Sequence, residues 1–182
     1  SVGGRVYTPD NGSPYVCFVA SPGHHKNFKV LIDMMRVLKV GEFSDLTLKL
    51  TINESDLPEL YKYARREGVL NSIQFLGPLS MDASLHLMFK AQAVVHPSNL
   101  ESFGVVLYEA MAMGCPIVAS DNGFSREACG DAALYASPDS GEEFADRIAT
   151  LLESTELQGI LSKKSKLMGV KKAVSWNSIA SM

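Results

Sequence analysis

The chain has 182 residues, 46% of them hydrophobic and 20% charged, which suits one domain with a sizeable core and excludes disorder as its overall state. Its net charge of −3 gives no overall pull toward nucleic acid or anionic lipid. Cys17, Cys115 and Cys129 are odd in number, far apart and without Cys-x-x-Cys spacing, so they read as small apolar residues of a reducing compartment, not as a disulfide frame or zinc site. No apolar run approaches the ~20 residues that span a bilayer. Ser1-Val2-Gly3-Gly4 carries no charged-then-apolar leader pattern and no initiator Met. A cytoplasmic chain that begins inside a longer protein is therefore expected.

Tyr15 to Ala20 is a short, continuous apolar run ending in Ser21-Pro22-Gly23, the pattern of a buried parallel strand entering a loop. Residues 27–40 carry Phe28, Leu31, Ile32, Met35 and Leu38 at helical spacing. Leu46 to Ile52 alternates as a second strand, and Ser55-Asp56 offers a cap for a helix with Leu57, Leu60, Tyr61 and Ala64. Ile73 to Leu76 predicts a third strand stopped by Gly77-Pro78, and Asp82 can cap the helix that follows. Ala93 to His96 is a fourth strand ending at Pro97, Gly104 to Met113 a helix closed by Gly114, and Pro116 to Ala119 a fifth strand. Further helices are predicted at 141–153 and from 156.

Strand and helix alternate throughout, which requires an α/β fold: a parallel sheet with helices on both faces. One domain is expected, with its core at about 13–153 and C-terminal helices at about 154–182. Ligands of such sheets sit beyond the carboxyl ends of the strands. That singles out the loops 21–27, 77–82, 97–104 and 120–126, and with them Ser21, His25 and Gly77.

From Val105 to Met113 every residue except Glu109 is apolar or aromatic, which predicts a helix buried on all sides. A lone carboxylate there needs partners, either backbone amides or a hidden Arg, or the hydroxyls of a ligand. Phe103, Gly104 and Val105 lie at the helix start, where free N–H groups attract an anion and Gly104 removes a side chain from its path. Glu109 follows by roughly five residues, ~8 Å at 1.5 Å per residue, about the reach from a diphosphate to its ribose. Glu101 precedes the helix and is free to point to the other side of the phosphates. Two carboxylates flanking an anion site suit a nucleoside-diphosphate sugar.

At this run the chain resembles the GT-B glycosyltransferases, especially glycosyltransferase family 4. Glu101 and Glu109 stand like that family's Glu-x7-Glu motif, flanked by His96-Pro97-Ser98, Glu109-Ala110-Met111-Ala112, Gly114-x-Pro116 and Ala119-Ser120. The similarity runs from about Tyr15 to Trp176. It implies the C-terminal, donor-binding, Rossmann-like half of a retaining enzyme, with the acceptor-binding N-terminal domain absent from this chain. It further implies that Glu109 binds the ribose hydroxyls, Glu101 the hydroxyls of the transferred sugar, and amides around Phe103, Gly104 and Val105 the distal phosphate. Lys26 matches the lysine that neutralises the diphosphate, so Lys26 and Glu101 are the expected catalytic residues. Ser21 stands where the family usually has an Arg, with His24 or His25 as substitute, and Ser102 replaces a frequent Gly. No metal or other cofactor is implied. The implied partners are a nucleoside-diphosphate sugar and a glycan or lipid-linked acceptor, in cell-surface polysaccharide or lipopolysaccharide synthesis.

Adjacent His24 and His25 point in different directions and do not suggest a metal pair. His96, at a strand end, reads as a packed histidine, and His86 as an exposed one. Lys163, Lys164, Lys166, Lys171 and Lys172 form a solvated helix face or, with Leu161, Leu167 and Val170, a membrane-surface patch at the inner face of a membrane. A stand-alone nucleotide-binding module without turnover, and a GT-B relative such as an epimerase or phosphorylase, remain the rival classes.

Overall fold

Six short strands form one parallel sheet in the computed structural model, which describes residues 14–101 and 104–180, the last ten of these by their backbone alone. The strands are β1 (Tyr15–Phe18), β2 (Thr47–Leu50), β3 (Ile73–Phe75), β4 (Ala93–His96), β5 (Ile117–Ser120) and β6 (Leu134–Ala136). Between and after them run α1 (Phe28–Leu38), α2 (Pro58–Arg66), α3 (Met81–Lys90), α4 (Val105–Ala112), α5 (Gly123–Cys129), α6 (Gly141–Glu153) and α7 (Thr155–Ala180). The sheet order is β3-β2-β1-β4-β5-β6, so the chain builds outward from β1 in one direction and then returns to build from β4 in the other. The Rossmann-like α/β expectation holds.

The apolar strands are apolar because both faces are covered. Val16, Phe18, Leu48, Leu50, Val95 and Val118 pack with α1, α2 and α6 on one side. Cys17, Val94, Ile117 and Ala119 pack with α3, α4 and α5 on the other. All three cysteines are buried, and none is joined in a disulfide. Two helix pairs approach so closely that a glycine is required at the crossing. A side chain on Gly169 would meet the backbone of Ala112, bringing α7 onto α4, and one on Gly141 would run into Asp33 and Met34 of α1.

Several local expectations need correction. Ser55 and Asp56 do not cap α2; they belong to a short 3-10 turn, Glu54–Asp56, which Asn53 caps reciprocally with Asp56. Pro58 opens α2 instead, its fixed φ preset for a first helical turn. Ser80, not Asp82, caps α3, accepting the Ala83 N–H at 3.3 Å. The sequence reading missed α5 and β6, which at seven and three residues are too short to show periodicity. Asn122, whose side chain accepts the Ser125 N–H at 2.8 Å, and Gly130 at the far end were the available signals.

Nor is α4 buried on every side. Leu107, Ala110 and Met111 are buried, but Val105 is 49% exposed and Ala112 is exposed as well. The lysine-rich part of α7 is likewise divided: Leu161 packs into the core, while Leu167 and Val170 face outward. Lys164 pairs with Asp131 at 2.8 Å. The side chains of Lys171 and Lys172 lie outside the described residues. No helix among the described residues is long and apolar enough to cross a membrane.

Candidate functional site

The sheet reverses its winding between β1 and β4, the place where sheets of this kind bind ligands, and the loops leaving these two strands meet there. Lys26 comes from the first loop and Glu101 from the second. After β1 the chain makes a 3-10 turn, His24–Lys26, and then places Asn27 in the left-handed region, with φ 54°, before α1 begins. Asn tolerates that conformation better than other non-glycine residues. Its side-chain amide also ties loops together: Nδ2 lies 3.2 Å from Pro97 O after β4 and 2.7 Å from Pro138 O after β6. Asn122 Nδ2 donates in the same way to Ser98 O at 2.9 Å. The backbone N–H of Asn99 donates to His25 O at 2.9 Å. Four strand-end loops, those after β1, β4, β5 and β6, are thus pinned to one another by amide groups.

That pinning brings Lys26 and Glu101 into contact. Lys26 Nζ lies 2.6 Å from Glu101 Oε1, with the two side chains only 15% and 10% exposed. His96 Nε2, from the end of β4, lies 3.3 Å from the same oxygen. The hydrogen bond from His96, followed by the Lys26 ammonium, holds the Glu101 carboxyl down at about 2, against the upward push of its own burial. Glu101 is therefore ionised throughout the physiological range. It does not stand free in the cleft, as the sequence suggested, but is gripped by two donors. His96 is buried, as a packed histidine should be, but it also touches the site through Glu101, a contact that the packed reading did not anticipate although His96-Pro97-Ser98 flanks the family motif.

Gly104 precedes α4 with φ 54°, and among the described residues no side chain caps the first-turn amides of that helix. Its lack of a side chain has a second cause beside any ligand: a Cβ there would collide with the Phe124 ring. Val105 opens the helix and is exposed. Phe103 and Ser102 lie outside the described residues. On α4, Glu109 is half-buried, burial pushes its carboxyl above the ordinary range, and among the described residues it has no hydrogen bond or ion pair. The capture by amides or by a hidden Arg that would have explained it structurally is not found there.

The remaining candidates are less central. Ser21 is exposed at the exit of β1. The exposed His25 places its ring against Gly23. Gly77, at the exit of β3, is buried with φ 70°, and Asn53 Oδ1 sits 2.7 Å from where a Cβ would be, so the turn itself accounts for this glycine. His86 is exposed. No cluster of three or more His, Cys, Asp or Glu suited to a metal occurs among the described residues.

Comparison with known proteins agrees with this fold. The family model described as glycosyl transferases group 1 matches residues 5–168. Over 166 residues the chain is 26% identical to O-antigen chain mannosyltransferase B of Escherichia coli, covering 89% of this chain and 42% of that protein. It is 35% identical over 102 residues to D-inositol 3-phosphate glycosyltransferase of Corynebacterium glutamicum, covering 54% of this chain and 24% of that one. Among solved structures, Anabaena HepE in complex with UDP and glucose superposes with a TM-score of 0.80 at 22% identity, covering 94% of this chain and 49% of its own. The chain thus spans less than half the length of these curated relatives. A match over most of the sequence, with the fold shared, settles the family: the chain belongs to the group 1 glycosyl transferases.

Proposed function

We propose that this chain is the donor-binding half of a retaining glycosyltransferase, taking a nucleoside-diphosphate sugar in the crevice between β1 and β4. The observation that carries the reading is the convergence of Lys26, Glu101 and the start of α4 on one end of the sheet, with Glu109 further along that helix. In this reading Glu109 accepts hydrogen bonds from the ribose hydroxyls, which relieve its half-buried charge. Lys26 and the first-turn amides of α4 face the diphosphate. As the bond between the anomeric carbon and the distal phosphate oxygen breaks, negative charge grows on that oxygen, and these groups offset it without a divalent metal. Glu101 holds hydroxyls of the transferred sugar.

The acceptor, a glycan or lipid-linked sugar, would dock mainly on a second, N-terminal domain. The names of the O-antigen relative and of the UDP-bound HepE structures favour a nucleotide-sugar donor and a role in cell-surface polysaccharide or lipopolysaccharide synthesis. That work would take place in the cytoplasm, and the outward Leu167 and Val170 beside Lys163 and Lys166 would suit a peripheral contact at the inner membrane face.

Calorimetry with UDP, GDP and ADP and their glucose, mannose and N-acetylglucosamine conjugates tests the donor site. The reading expects one nucleotide to bind and its sugar conjugate to bind more tightly. Acceptor-dependent release of nucleoside diphosphate by this chain joined to a second domain tests transfer. Release of free sugar, epimerisation or phosphorolysis in its place would replace the transferase reading.

A further inference from the structure

His96 is a costly residue for its position. The three residues before it in β4, Ala93, Val94 and Val95, are fully buried and apolar, and the partner of His96 across the ladder is Ala119. His96 itself is only 2% exposed. Its Nδ1 is buried with no hydrogen-bond partner among the described residues. An apolar side chain would fill the same space without that unpaired nitrogen, so core packing alone does not account for an imidazole here.

The ring is also held from two sides. Phe18 meets it edge-on, with centroids 5.9 Å apart and planes at 85°, and Phe124 lies tilted against it at 6.5 Å. This clamp leaves Nε2 one direction, toward Glu101 Oε1 at 3.3 Å. With no acceptor at Nδ1, the proton of the neutral ring belongs on Nε2, where it is donated to the carboxylate. Lys26 binds the same oxygen from the other loop. Two donors on Oε1 fix the plane of the carboxylate. Lys26 alone would not fix that plane, because an ammonium on a flexible stem allows rotation about itself.

We propose that His96 is a positioning residue of the donor site: its Nε2–H sets the orientation in which Glu101 receives the hydroxyls of the sugar. This rests on the assignment of Glu101 to the sugar, made above. His96 does not touch the donor and takes no proton from it. It makes the binding of a sugar selective over the binding of a bare nucleotide.

The test compares His96→Leu, which keeps bulk and removes the donor, with His96→Gln, whose side-chain amide nitrogen reaches the position of Nε2. Thermal melting first shows that each variant is folded. Calorimetry then measures the nucleoside diphosphate and its sugar conjugate for the pair that the wild-type chain binds. His96→Leu is expected to reduce the preference for the sugar conjugate about tenfold, the scale of one hydrogen bond to a charged group, with bare diphosphate affinity unchanged within about twofold. His96→Gln should restore most of the preference.

A second readout is independent of any ligand. The Glu101 carboxyl, followed by carbon-detected NMR, should titrate higher in His96→Leu than its wild-type value of about 2, and His96→Gln should bring it back down. An unchanged titration in His96→Leu overturns the proposal, as does equal loss of both ligands with no rescue by Gln. If the titration moves as expected but the wild-type chain shows no preference for a sugar conjugate, the grip of His96 on Glu101 stands and the assignment of Glu101 to the sugar fails.

Discussion

Lys26 and Glu101, 75 positions apart in the chain, share a hydrogen bond of 2.6 Å across the crevice between β1 and β4. The cation assigned to the diphosphate is therefore already neutralised by the carboxylate assigned to the sugar. A donor arriving in the crevice must share Lys26 with Glu101, and the two ends of the donor site are electrostatically coupled.

This coupling gives Glu101→Gln an unusual profile. Removing the carboxylate charge frees Lys26, so bare nucleoside diphosphate should bind as tightly as to the wild type, or a few-fold more tightly at low salt. Affinity for the sugar conjugate should fall relative to it, and in a full enzyme Glu101→Ala should lower turnover far more than nucleotide affinity. Calorimetry at two salt concentrations checks the first part. A matched loss of both ligands would show that Glu101 holds the fold of the loop and does not address the sugar.

The same carboxylate sets an acid limit on stability. Its folded pKa of about 2 lies below the ordinary value of 4.5, so the folded state binds its proton less readily than the unfolded state. The stabilisation it gives is fully present above about pH 4.5 and is lost as pH falls toward 2. Melting temperatures of the wild type should exceed those of Glu101→Gln at pH 6, and the gap should narrow across that window. A gap constant from pH 6 to pH 2 would show that the ion pair contributes nothing to folding.

Glu109 has the opposite sign. Burial raises its pKa, so its ionisation increasingly opposes folding as pH rises above the ordinary value of 4.5, in full once pH passes the folded value, and this burden is absent below the ordinary carboxylate range. Glu109→Gln should therefore melt higher than the wild type at pH 7 and equally at pH 4. Its nucleotide affinity should drop by about 1–3 kcal/mol, the range for a hydrogen bond to a charged group. Destabilisation at pH 7 with unchanged binding would make Glu109 a structural residue.

Positive charge at the diphosphate is expected to come from Lys26 and the amides of α4. Nucleoside diphosphate should then bind in EDTA with an affinity close to that in magnesium, and Lys26→Ala should weaken it in both. Binding seen only after magnesium or manganese is added would remove the metal-free mechanism.

Asn27 is expected to matter without touching any ligand. Its amide spans the loops after β4 and β6 from a left-handed backbone. Asn27→Ala should lose at least ~1 kcal/mol of stability by chemical denaturation, since two partly buried carbonyls lose their donor. Nucleotide binding should weaken with it, because the loop carrying Lys26 is held less firmly to the loop carrying Glu101.

How much of this was legible in the sequence differs from residue to residue. Alternation of buried apolar runs with amphipathic segments by itself determined the α/β class, five of the strands and the bounds of α6, because burial on two faces imposes a local composition. Glu101, Gly104 and Glu109 were legible because a short stretch of chain places all three, and within such a stretch helix geometry converts spacing into distance. Only the tertiary structure decided the rest. The Lys26–Glu101 pair and the amide pinning by Asn27 join loops that meet only once the sheet has reversed its winding at β1 and β4. Contacts between residues so distant in the chain leave no periodic trace in it; they follow from strand order, which a parallel sheet settles through long-range packing.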